Sequence, residues 1–166
     1  MLAPVFRDAE GFLRVVLIRR TEGGIHGGQL ALPGGNREPF DATPLDTAIR
    51  EAEEEIGLTR ANLEILASLP VVETMTTRYR IVPFLARVTH PRPWRRAESE
   101  IAEVLETRVS DLLAPGAHGE AIENFPTWSG PRKISFYRVG EHRLWGATYR
   151  ILHPLLPRLD GGEWEI

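Results

Sequence analysis

Residues 43–58 read Thr43-Pro44-Leu45-Asp46-Thr47-Ala48-Ile49-Arg50-Glu51-Ala52-Glu53-Glu54-Glu55-Ile56-Gly57-Leu58. Thr43 followed by Pro44 is a helix start: a hydroxyl that caps unpaired N–H groups, then a first-turn proline whose missing N–H is not needed. Gly57 stands where a left-handed C-terminal cap is expected. The stretch therefore predicts a helix from Pro44 to Ile56. With Glu51 set at zero, a helical advance of about 100° per residue puts Glu54 at about −60° and Glu55 at about +40°. Leu45, Ala48, Ile49, Ala52 and Ile56 gather between about 60° and 160°. One face is thus apolar and a neighbouring one carries carboxylates, with Glu53 pointing away from both and Arg50 beside Glu54.

An acidic run on a helix is most often a solvated face, and like charges one turn apart cost only about 0.2–0.5 kcal/mol per pair. Its surroundings change that reading. Just upstream, Leu32-Pro33-Gly34-Gly35 is a tight glycine turn, where backbone approaches a ligand closely or offers a carbonyl. Three carboxylates beside such a turn form an all-oxygen site for a hard divalent cation such as Mg²⁺, and Mg²⁺ implies phosphates.

The whole chain has 166 residues, the allowance for one domain, so residues 1–166 are expected to form a single unit. Hydrophobic residues at 42% and charged ones at 26% suffice for a packed core and exclude a disordered chain. The 23 acidic and 20 basic residues give a net charge of −3, unlike the basic footprint of a general nucleic-acid binder. With no cysteine, disulfides, zinc–thiolate sites, iron–sulfur clusters and thiol nucleophiles are excluded. Between Met1 and Arg20 the apolar residues are interrupted by Arg7, Asp8, Glu10 and Arg14, which argues against a signal-peptide core or membrane span. A cytoplasmic protein without membrane partners is expected.

Phe12 to Ile18 and Arg78 to Val88 are rich in β-branched and aromatic residues, with Pro83 marking an edge or bulge in the second. Leu63 to Val72 is a weaker strand. Ile134 to Val139 and His142 to Trp145 read as two short strands joined at Gly140-Glu141, and Val104-Leu105 belongs to another strand. A shorter C-terminal helix starts near Gly146 and is interrupted by Pro154. Pro91 to Arg96 and Ala114 to Gly119 read as loops. Strands around one patterned helix and one terminal helix predict an α/β sandwich.

Gly35 followed by Arg50-Glu51-Ala52-Glu53-Glu54-Glu55-Ile56-Gly57-Leu58 resembles the Nudix hydrolase signature, G-x5-E-x7-R-E-U-x-E-E-x-G-U with U apolar. The second half matches throughout. In the first half Gly35 lies fifteen positions before Arg50 where the general signature has fourteen, and Glu38 or Asp41 must take the place of the missing glutamate. The longer spacing, with Glu38-Pro39-Phe40-Asp41, is similar to the branch of coenzyme A pyrophosphatases. So are Leu17 to Thr21, His26 to Gly35, Val82-Pro83-Phe84, Glu100 to Leu105 and Leu144 to Leu152.

The resemblance implies a Nudix-type α/β/α sandwich with a mixed β-sheet and a loop–helix–loop site that uses Mg²⁺ or Mn²⁺. It implies that Glu51 and Glu55 are the main metal ligands, that the Gly35 carbonyl adds an oxygen, and that Glu54 is a ligand or the general base. Arg50 orients the carboxylates by hydrogen bonds. A further acid from a distant loop is drawn from Glu98, Glu100 and Glu103, with Glu100 preferred. Arg19, Arg20 and Arg37 are candidate phosphate clamps, since guanidinium pairs bidentately with phosphate oxygens. His26 and Gln29 follow the branch pattern and are candidate substrate contacts, whereas Trp145 is read as core.

The implied function is hydrolysis of the pyrophosphate of coenzyme A or its derivatives to 3′,5′-ADP and a 4′-phosphopantetheine product. The alternatives are another nucleoside diphosphate derivative, such as ADP-ribose, NADH or a dinucleoside polyphosphate, and a non-catalytic nucleotide-sensing module. The apolar C-terminal residues Leu155, Leu156 and Trp164 serve either the core or a homodimer.

Overall fold

The computed structural model describes residues 1–23, 27–74, 79–89, 93–125 and 128–166. Its elements in chain order are β1 (Leu2–Arg7), β2 (Leu13–Arg20), β3 (Leu30–Ala31), α1 (Pro44–Ile56), a 3₁₀ turn (Arg60–Asn62), β4 (Leu63–Ser68), β5 (Val72–Glu73), β6 (Arg80–Ile81), β7 (Phe84–Val88) and β8 (Ile101–Arg108). There follow α2 (Val109–Leu113), β9 (His118–Glu123), β10 (Arg132–Val139), β11 (His142–Trp145) and α3 (Gly146–Asp160). Among the described residues no helix is long and apolar enough to cross a membrane.

Six strands form the main sheet in the order β3-β2-β1-β7-β4, with β8 also paired to β2. β1 runs parallel to β7, and the other pairings are antiparallel, so the sheet is mixed. Strand side chains alternate between faces. Val15 and Leu17 enter one core with Leu144, Ile151, Leu152 and Leu155. Val16 and Ile18 enter a second with Ala48, Ala52 and Ile56 of α1. The four-residue run Val15 to Ile18 is wholly buried because both faces of the sheet are covered, the expected α/β/α arrangement. β9, β10 and β11 form a separate antiparallel sheet, and β5 and β6 a two-stranded ladder.

α1 has the bounds its sequence predicts. The Thr43 hydroxyl accepts from the Asp46 N–H at 3.2 Å and the Thr43 N–H donates to the Asp46 carboxylate at 3.0 Å, a reciprocal capping box. At the other end Gly57 has φ 73°, and the Gly57 and Leu58 N–H groups return to the Glu53 and Ala52 carbonyls. A side chain there would be strained by that φ and would meet Cβ of Arg95 at 2.9 Å.

Several expectations are corrected. β1 has no counterpart among the expected strands; its pairing to β2 begins only at Val5, so β2 requires no N–H from Pro4. Pro83 divides the expected strand from Arg78 to Val88 into β6 and β7, with Arg78 itself outside the described residues. The expected strand from Leu63 to Val72 ends at Ser68, and Val72 starts β5. His118 and Gly119, read as loop, open β9, while Pro91 and Arg92 lie outside the described residues. α3 runs for 15 residues through Pro154 and Pro157, longer than the 13 of α1. Both prolines are exposed, and burial of Ile151, Leu152, Leu155, Leu156 and Leu159 on the other face offsets the lost hydrogen bonds.

Loss of the capping hydroxyl in Thr43→Ala is expected to lower unfolding stability by about 1 kcal/mol. Urea denaturation should show a lower midpoint with an unchanged slope and recovery in Thr43→Ser. An equal midpoint in the alanine variant would remove the box from the stability of α1.

Candidate active site

The loop from β3 to α1 and the carboxylate face of α1 are built against each other. Pro33 accepts the Leu2 N–H at 2.8 Å, which fixes the glycine turn to the start of β1. Gly34 then donates its N–H to Oε2 of Glu55 at 2.9 Å. Beside it, a Cβ on Gly35 would lie 2.5 Å from the Glu51 carboxylate carbon and both its oxygens. Glycine at 35 is thus what lets Glu51 lie against the turn, and Glu51 and Glu55 converge on one stretch of backbone.

Their environments differ from that of Glu54. Glu55 is 3% exposed, and its burial pushes the carboxyl up to about 7. The Gly34 N–H and the charge of Arg20 oppose that shift, while Glu51 and Glu100 reinforce it. Burial also raises Glu51, against the pull of Arg50 and with the added repulsion of Glu54 and Glu100. The Glu54 side chain is 60% exposed and meets Arg50 at 3.0 Å.

Arg50 connects helix and loop. Its Nε and Nη2 donate to Oδ1 and Oδ2 of Asp41 at 3.1 and 3.0 Å, and Nη2 also donates to the Asn36 carbonyl at 2.9 Å. Nη1 lies 3.0 Å from both Glu51 and Glu54. Asp41 is buried and accepts further from the Glu38 N–H and the Thr47 hydroxyl, both at 2.9 Å. The bonds from Arg50 hold the Asp41 carboxyl far below the usual carboxylate range, and Asp41 in turn raises Arg50. Of the two acids left open by the sequence, Asp41 is therefore the one bound to Arg50; Glu38 is exposed.

The candidate phosphate clamps are not gathered into one group. Arg20 follows Ile18 by two positions and shares its α1-covered face, consistent with its attraction to Glu55. Arg19 points to the other face, where its Nε is 3.3 Å from Glu103. Arg37 donates to the carbonyls of Asp41 and Ala42 and fastens the loop. Gln29 offers its carbonyl to the Arg20 N–H at 3.1 Å. His26 lies outside the described residues. Of the three candidate distal acids, Glu100 acts electrostatically on Glu51 and Glu55, Glu98 lies 3.4 Å from Arg96, and Glu103 sits within β8.

An open depression of about 620 Å³ borders this constellation, lined by Arg50, Glu53, Glu54, Arg95, Arg96 and Ala97. Sequence reasoning missed it, since Pro91 to Arg96 reads only as a loop. Two long-range backbone bonds create it: Arg95 N–H to the Ile56 carbonyl at 3.1 Å and Ala97 N–H to the Glu55 carbonyl at 2.9 Å. No local signal announces either.

Among the described residues no three histidine or acidic side chains are already gathered at metal-ligand spacing. The donors nevertheless fit a hard cation. Glu51 and Glu55 are oxygen donors that burial and mutual repulsion disfavour as bare anions, and both lie against the Gly34–Gly35 turn, Glu55 through the Gly34 N–H and Glu51 in the space that a side chain at 35 would fill. A partial protein shell suits Mg²⁺, which retains waters and takes phosphate oxygens.

The Glu55 shift has a definite sign. The native carboxyl keeps its proton up to about pH 7, whereas the unfolded one releases it near 4.5, so stability falls as pH rises through that window. Metal-free Glu55→Gln is expected to lose this dependence and to exceed the parent at pH 8 by roughly 1–3 kcal/mol. Urea unfolding across the window measures it, and parallel profiles for the two proteins would contradict it.

The family model described as the NUDIX domain matches residues 2–128. An uncharacterized Nudix hydrolase of Escherichia coli, NudL, is 30% identical over 125 residues, covering 75% of this chain and 58% of the relative. The match thus takes in little over half of that relative's length. A MutT protein from Methanosarcina mazei shares the fold with a TM-score of 0.59 at 16% identity, covering 99% of this chain and 94% of that one. A C. elegans Ap4A hydrolase does so with a TM-score of 0.57 at 18% identity, covering 68% and 80%. With a family-model match over most of its length and the helix signature in place on α1, the chain belongs to the Nudix family.

Proposed function

We propose that the protein is a divalent-cation-dependent pyrophosphohydrolase that cleaves the pyrophosphate of coenzyme A or its derivatives. The observation that carries the hydrolase reading is the convergence of Glu51 and buried Glu55 on the Gly34–Gly35 turn, with Glu54 beside them. The substrate assignment rests on the longer loop: its Glu38-Pro39-Phe40-Asp41 stretch resembles the coenzyme A branch, and Asp41 from it takes the guanidinium of Arg50.

Glu51 and Glu55 hold Mg²⁺ or Mn²⁺, with the Gly35 carbonyl as a further donor. When bound, the cation supplies neutralisation of pyrophosphate oxygens and polarisation of water. Hydrolysis forms a bond from the water oxygen to one phosphorus and breaks that phosphorus's bond to the bridging oxygen. Glu54 is exposed and oriented by Arg50, and it accepts the water proton; Glu100, whose charge acts on Glu51 and Glu55, is the distal acid of the same site. Arg50 is a positioning residue. Arg20 offsets charge beside Glu55.

Incubation with Mg²⁺ and a mixture of coenzyme A, ADP-ribose, NADH, a dinucleoside polyphosphate and nucleoside triphosphates tests the substrate. Mass spectrometry should find 3′,5′-ADP with 4′-phosphopantetheine; AMP with ribose phosphate, or another cut, would discard coenzyme A and keep the chemistry. Glu54→Gln is expected to lower kcat by about 10²–10⁴-fold with an unchanged unfolding midpoint. Full activity in that variant would exclude Glu54 as base.

A further inference from the structure

Of the three arginines that are candidates for binding substrate phosphates, two are engaged elsewhere. Arg37 fastens the loop carbonyls, and Arg19 faces Glu103 across the sheet from α1. Arg20 lies beside Glu55. A phosphate that extends past Glu54 instead meets the depression of about 620 Å³, where Arg95 and Arg96 form one wall and Glu53, Glu54 and Arg50 the other.

That wall is firmly placed. The backbone bonds from Arg95 to Ile56 and from Ala97 to Glu55 hang residues 95–97 on the end of α1, and Gly57 lets the chain of Arg95 approach closely. Arg96 is steadied through the Ala102 carbonyl, and its contact to Glu98 is a 3.4 Å one with an 83% exposed acid. Arg95 is exposed and, among the described residues, makes no ion pair. Arg50, by contrast, has its donors occupied by Asp41, Asn36, Glu51 and Glu54. The two arginines are therefore the cations in this depression available to an incoming anion.

We infer that Arg95 and Arg96 form a second anion subsite, which binds a substrate phosphate other than those of the scissile linkage. This rests on the hydrolase reading above for its orientation, because the subsite adjoins Glu54. Guanidinium groups suit a phosphate dianion through paired N–H donors. The phosphate comes either from a ribose-linked phosphomonoester or from the tail of a longer polyphosphate. The structural alternative is that both arginines only balance the negative C-terminal end of α1, whose last turn carries no basic residue.

Calorimetric titration of the whole protein with 3′,5′-ADP, AMP, ADP and ATP separates these readings. The parent protein is expected to bind 3′,5′-ADP at least about tenfold more tightly than AMP if the source is a phosphomonoester, or ATP more tightly than ADP by a similar factor if it is a polyphosphate tail. Either preference should fall to near unity in Arg95→Gln/Arg96→Gln and be retained only in part in Arg95→Lys/Arg96→Lys, which keeps the charge and loses the paired donors. Both variants are checked by thermal unfolding, so that a lowered midpoint with retained preference identifies the purely structural role and overturns the proposal. Absence of any preference in the parent protein overturns it too. Hydrolysis is measured separately on the same samples. Arginine-dependent binding without turnover would remove the hydrolase reading and keep the subsite, and turnover with arginine-independent affinity would do the reverse.

Discussion

Five contacts of about 3 Å converge on the guanidinium of Arg50: two from Asp41, one from the Asn36 carbonyl, and one each from Glu51 and Glu54. A planar group with five donors in fixed directions can join a helix to a loop in this way, and an ammonium cannot. The loop from Gly35 to Asp41 has no regular secondary structure of its own, so its shape depends on this junction. Asp41 completes it by receiving the Glu38 N–H and the Thr47 hydroxyl. The carboxylates of α1 are consequently set against a rigid turn before any ligand arrives.

The other determinant is where α1 presses on the sheet. Ala48, Ala52 and Ile56 are fully buried, and Glu55 lies at the border between that apolar face and the carboxylate face. Packing the small alanines closely on β1 and β8 draws Glu55 below the surface, where the Gly34 N–H satisfies only part of a carboxylate. Desolvation then raises its pKa, and the repulsion from Glu51 and Glu100 adds to the effect. A site that disfavours its own bare anions is one that a cation would relieve, so core packing and the charge balance of the site share one physical cause. Such local conflict between stability and neighbours is expected at functional positions rather than in the core.

What the chain reveals before folding divides along the same line. The bounds of α1 follow from Thr43, Pro44 and Gly57, all local signals, and the structure reproduces them. The grouping of Glu51, Glu54 and Glu55 follows from helical spacing. β1 is absent from the expected strands, and its place inside the sheet is set by long-range pairing to β2 and β7. The length of α3 is not legible locally: Pro154 predicts an interruption, and tertiary burial of the apolar face outweighs it. Strand alternation places Arg19 and Arg20 on opposite faces, yet which face carries α1 is a long-range fact. The choice between Glu38 and Asp41 likewise needed the fold of the loop.

Reaction chemistry and substrate choice are therefore written at different ranges of the sequence. The carboxylate helix is assembled within about fifteen consecutive residues by caps and periodicity, which is compatible with a common fold at 16–18% identity among solved relatives. The walls that surround it depend on contacts between distant segments: Ile56 with Arg95, Glu55 with Ala97, and Thr21 with Glu100. Those contacts are backbone bonds that impose no residue type, so exposed side chains beside them, such as those of Arg95 and Arg96, are free to vary while the helix stays the same. A motif of this kind consequently identifies the bond broken more readily than the molecule that contains it. On the proposal made above, Arg95 and Arg96, carried on a backbone anchored to the helix they flank, are the part of the site that would distinguish one substrate from another.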